Sequence, residues 1–83
     1  MAEEVVIHLF GHKEIVELLI KRQDIHEGLW CLAVEFGFAA ANVGPTPDQI
    51  APSGVVAIVR IGIKQSQTAD ALTVDAAKAN PKT

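Results

Sequence analysis

The stretch GLWCLAVEFGFAAANVG, residues 28–44, decides the fold. Successive side chains of an extended chain point to opposite sides, so this run has two faces. One carries Trp30, Leu32, Val34, Phe36, Phe38 and Ala40; the other carries Leu29, Cys31, Ala33, Glu35, Gly37, Ala39 and Ala41. The first set reads as a core face. The second is small and mostly apolar, with Glu35 its only charge, so neither face suits water. A strand of about fifteen residues is longer than usual, and Gly37 is where a bend is expected.

Outward from this strand, the spacing assigns the neighbours. Glu4–Phe10, EVVIHLF, alternates Val5, Ile7 and Leu9 against Val6, His8 and Phe10, and is expected to be a strand ended by Gly11. From His12 to about Gln23 the period becomes helical: Ile15, Leu18, Leu19 and Arg22, with Val16 and Ile20, recur on one side, and Lys13, Glu14, Glu17 and Lys21 fill the other. Glu17 and Lys21 stand in the favourable i, i+4 order, worth roughly 0.3–0.5 kcal/mol. Gln23–Gly28 reads as a connecting turn. Val55–Lys64 alternates Val55, Ala57, Val59, Ile61 and Ile63 against Val56, Ile58, Arg60, Gly62 and Lys64, a further strand. Between the two long strands lies GPTPDQIAPS, where Thr46-Pro47-Asp48-Gln49 matches a capping box with proline in the first helical position. Folding the strands back around it brings Glu35 within diagonal reach of Arg60.

These elements give an α+β fold: a small β-α-β-β domain over residues 1–66, with one helix packed on a three-stranded mixed sheet. The first two strands are expected to be parallel across a right-handed crossover, and the third antiparallel. Residues 67–83 read as a partly ordered C-terminal tail. Within it, the residues suit either a short strand at Leu72–Val74 or one to two helical turns from Thr73 to Lys78, halted at Asn80-Pro81.

At 83 residues, a single domain buries only about 60–65% of the surface its unfolded chain exposes. Disulfides cannot add stability, because Cys31 is the only cysteine. Hydrophobic residues make up 49% of the chain and charged residues 20%, which is lean in charge for so small a domain. Net charge is −3 with seven scattered Lys and Arg, which argues against a nucleic-acid partner. The N-terminal stretch has acids where a signal peptide has bases, and no apolar run reaches the ~18 residues of a membrane helix. A cytoplasmic location without a membrane partner is the expectation.

No catalytic constellation is legible. His8 and His12 have an HxxxH interval, but Gly11 and the change from strand to helix intervene, so neither a metal site nor a cofactor is expected. Cys31 lacks a sequence-adjacent base and reads as an inert thiol. The Gly11-His12-Lys13 corner offers N–H groups and a cation at a helix start. His8, His12, Lys13, Trp30 and Glu35 are therefore the candidate ligand-binding residues, with Trp30 equally at home as a core anchor.

One helix covers one face of a three-stranded sheet. The uncovered face would carry Leu29, Cys31, Ala33, Glu35, Ala39, Ala41, Val56, Ile58 and Arg60, a larger apolar patch than soluble monomers expose. These are the expected interface residues of a homo-oligomer, a dimer or tetramer, and a non-enzymatic structural or protein-interaction role follows. The alternative is a small-molecule-binding protein or minor enzyme, with a pocket between helix and sheet or at the subunit seam.

Overall fold

The structure, a computed structural model, describes residues 4–82. Its main elements are helix α1 (His12–Arg22), strands β1 (Leu29–Val43), β2 (Ala51–Ser66) and β3 (Val74–Asp75), and the short helix α2 (Ala76–Ala79). The strands form one antiparallel sheet in the order β2-β1-β3. Close contacts divide the chain into two compact units: one comprises the residues up to Leu32 together with those from Ile63 onward, the other Ala33–Gly62.

The α+β class holds, but the β-α-β-β order does not. Glu4–Phe10 forms no strand, so the parallel crossover is absent and the third strand is β3 instead. β3 pairs antiparallel with the start of β1, Leu29 opposite Asp75 and Trp30 opposite Val74. Strand propensity tells whether a segment fits a pleated surface; it does not supply the neighbouring strand. In this chain Val5, Val6, Ile7, Leu9 and Phe10 all stand exposed.

Helix α1 forms where its periodicity placed it. Glu14 lies in the first turn and Lys21 and Arg22 in the last, each favourably placed in the field of the helix. The Glu14 carboxylate accepts a hydrogen bond from the Gly11 N–H at 3.2 Å. At the other end Asp24 takes φ +56°, and Ile25 N–H donates to the Ile20 carbonyl at 3.0 Å, which closes the helix and turns the chain toward β1.

The core of the first unit is small. Val16, Ile20, Val74 and Ala76 are buried, with Ile25, Trp30, Leu32, Ile63 and Ala79 packed against them. The segment expected as a partly ordered tail thus supplies two of four buried residues. Asp75 caps α2 by accepting from Ala77 N–H at 3.0 Å. Of the alternating apolar sets on the two long strands, Trp30, Leu32 and Ile63 join this core. Phe36, Phe38, Val55, Val59 and Ile61 do not, and are 46–79% exposed. Length gives the reason: eleven helical residues span about 16 Å, whereas fifteen strand residues run about 50 Å. Leu18, on the broad helical stripe, is also exposed.

The second unit, Ala33–Gly62, is a two-stranded hairpin. Its connection contains a 3₁₀ turn, Pro47–Gln49, preceded by Thr46. The Thr46 carbonyl accepts from Gln49 N–H at 3.0 Å, but Thr46 makes no side-chain cap, so the expected capping box is a backbone turn only. Gly44 is required here, since a Cβ on it would lie 2.2 Å from the Gln49 carbonyl oxygen. Beside Gly37 stand Val59 and Ala57.

Candidate functional site

Ala33–Gly62 is where the chain departs most from the surface of an ordinary soluble domain. Phe36, Phe38, Val43, Ile50, Val55, Val56, Ile58, Val59 and Ile61 are each about half exposed or more. They come from both alternating faces of the two strands and, for Ile50, from the connection between them. Phe36 and Phe38, two residues apart, place their ring centroids 6.2 Å from one another. Exposed apolar residues scattered singly are normal; so many within one short unit are not.

Within that field one polar element is ordered. Arg60 Nε donates to Glu35 Oε2 at 2.9 Å, and Arg60 Nη2 donates to the same oxygen. The pair is legible in the sequence, and it forms. Both partners remain substantially exposed, 78% for Arg60 and 48% for Glu35, so the attraction is screened by water and contributes about 0–1 kcal/mol in the isolated chain. Around it Ala33, Val34, Ile61 and Gly62 complete a shallow recess of about 370 Å³.

Of the expected interface residues, Glu35, Ala39, Ala41, Val56, Ile58 and Arg60 are exposed, while Leu29, Cys31 and Ala33 are half-buried. Leu29 owes its cover to β3, which pairs with it directly. The expected ligand-binding residues disperse. Trp30 is half-buried against the core and donates its Nε1–H to the Glu27 carbonyl at 3.0 Å, which anchors the start of the strand. His8 lies in the exposed Glu4–Phe10 segment. His12, Lys13 and Glu35 line three different recesses. The Gly11 N–H, half of the expected anion corner, is already taken by the Glu14 carboxylate, which repels a second anion.

Two arrangements were not anticipated. A recess of about 320 Å³ is lined by His12, Cys31, Leu32, Lys64 and Leu72; Lys64 at the end of an alternating strand was its sequence signal. The other is a polar clasp. His26 Nδ1 lies 2.8 Å from the Asn80 carbonyl, its Nε2 lies 2.8 Å from Asp24 Oδ1, and Asn80 Nδ2 donates to the Ile25 carbonyl at 2.9 Å. These residues are 54 and 55 positions apart in the chain, and nothing local encodes their meeting.

Among the described residues, no three His, Cys, Asp or Glu side chains converge to hold a metal ion, and no helix is long and apolar enough to cross a membrane. Comparison of the chain with protein families, curated proteins and solved structures finds no match.

Proposed function

We propose that this protein is a self-associating module whose Ala33–Gly62 hairpin is covered by a second copy of the chain, with a structural or protein-interaction role. The observation that carries this reading is the apolar surface that Ala33–Gly62 leaves in water: Phe36, Phe38, Val55, Val56, Ile58, Val59 and Ile61 are 46–79% exposed. Apolar burial drives association at about 25 cal/mol per Å² before the entropy of association is subtracted.

Sedimentation equilibrium on the wild-type chain and on the double variant Val56→Lys/Ile58→Lys tests this. Both positions are exposed, so the fold of the single chain tolerates the change while an apolar seam does not. The wild type is expected to sediment as an oligomer and the variant as a monomer with an unchanged circular dichroism spectrum. A wild type that stays monomeric at high concentration overturns the reading.

A second reading is favoured by the recess of His12, Cys31, Leu32, Lys64 and Leu72. Its volume of about 320 Å³ falls at the lower end of small-molecule sites, and it combines an apolar floor with an amine and an imidazole. A thermal-shift screen of small carboxylates and other metabolites addresses it; a saturable rise in melting temperature abolished by Lys64→Ala supports binding there.

A further inference from the structure

The Glu4–Phe10 segment and the sheet are each incomplete in a way the other would complete. The segment carries five large apolar side chains in seven residues, 54–87% exposed, in the alternating pattern of a strand, yet it belongs to no sheet. The sheet is short of strands. β3 is two residues long and pairs β1 at Leu29 and Trp30, so among the described residues that edge of β1 meets no strand from Cys31 onward. A long edge of unpaired N–H and C=O groups is a template for another chain, and proteins that keep such edges free guard them with charges, prolines or bulges. From Cys31 to Val43, β1 has one charge, Glu35, and no proline.

We propose that residues 4–10 of one copy add as a strand to the open edge of β1 in a second copy, beginning where β3 stops. This deepens the self-association reading and rests on it: the hairpin faces supply apolar area, and strand exchange supplies main-chain hydrogen bonds and fixes which edge meets which chain. A donated strand pairs through its backbone and seats alternate side chains on the two sheet faces. Val5, Ile7 and Leu9 would fall on one face of the acceptor sheet, Val6, His8 and Phe10 on the other. Because every copy carries both the segment and the edge, the exchange is available to each chain of a symmetric dimer.

Hydrogen exchange of the wild-type chain, read by mass spectrometry across a dilution series, tests the proposal together with the variant Ile7→Pro. Proline removes an N–H and disrupts a ladder, and at an exposed position outside every element it leaves the folded chain intact. The expected result is amide protection over residues 5–10 that is present at high concentration and lost on dilution, and at least tenfold weaker association of Ile7→Pro in sedimentation equilibrium. Protection that does not change with concentration means the segment pairs with its own sheet, and overturns the proposal. So does a segment that exchanges freely while Ile7→Pro associates like wild type; if Val56→Lys/Ile58→Lys still dissociates the oligomer in that case, self-association through the hairpin stands and only strand exchange falls. A wild type monomeric throughout removes both.

Discussion

His26 shows how much of this small fold hangs on single residues. Its ring bridges the Asn80 carbonyl and the Asp24 carboxylate, and Asn80 returns a hydrogen bond to Ile25. The clasp ties the end of α2 to the turn that follows α1, and α2 brings Ala76 into the core. Asn80→Ala leaves the part-buried Ile25 carbonyl without this partner and is expected to lower stability by about 1–2 kcal/mol, measured by urea unfolding. Gly28 is a second such point. It sits at φ +96°, and a Cβ there would lie 2.9 Å from Gln65 Nε2 and 3.1 Å from the Trp30 indole nitrogen. The left-handed backbone alone costs an L-residue about 1–2 kcal/mol, so Gly28→Ala is expected to destabilise by at least that much in the same assay. Glu35 behaves differently in the two states the protein is proposed to occupy. In the isolated chain its ion pair with Arg60 is exposed and Glu35→Ala changes stability by about 1 kcal/mol or less. Covered by another copy, the same change strands Arg60 out of water at a cost of about 3–5 kcal/mol. Glu35→Ala is therefore expected to weaken the oligomer far more than it weakens the fold, which sedimentation and urea unfolding measured side by side distinguish.

At the scale of elements, what the sequence made legible was what is locally determined. Helix α1 needs only its own period and its charged ends, and Ile15–Ile20 at helical spacing marked it within a residue of its bounds. The hairpin needs two alternating runs and a turn, and Glu35 found Arg60 across it. Glu4–Phe10 has the same alternation and became no strand, because a ladder needs a neighbouring strand, which alternation alone does not supply. β3 and α2 were only half legible for the opposite reason. Val74 and Ala76 are too few to make a pattern, and their burial comes from α1 and β1 packing over them; the local signal that remained was Asp75 ahead of the alanine-rich run AAKA, a helix cap. His12 and Lys13 are adjacent in sequence yet line separate recesses, since neighbours on a helix point about 100° apart.

For the whole molecule, stability and assembly are one question. Among the described residues four side chains are buried, a small core, and the hairpin contributes exposed apolar surface where a larger domain would contribute burial. On the proposed self-association, stability comes partly from contacts between copies and by mass action depends on protein concentration. For a dimer that unfolds as it dissociates, each tenfold rise in concentration adds about 1.4 kcal/mol per dimer, or about 0.7 kcal/mol per chain. With the entropy of unfolding typical of a domain this size, that raises the melting temperature by about 3–6 °C. Calorimetry of the wild-type chain over a hundredfold concentration range is expected to show two such steps. The Val56→Lys/Ile58→Lys variant is expected to melt lower and at one temperature throughout, because its unfolding no longer includes a bimolecular step. A wild-type melting temperature equally indifferent to concentration would mean that the small core alone sustains the fold and that the apolar hairpin stays in water at no cost to it.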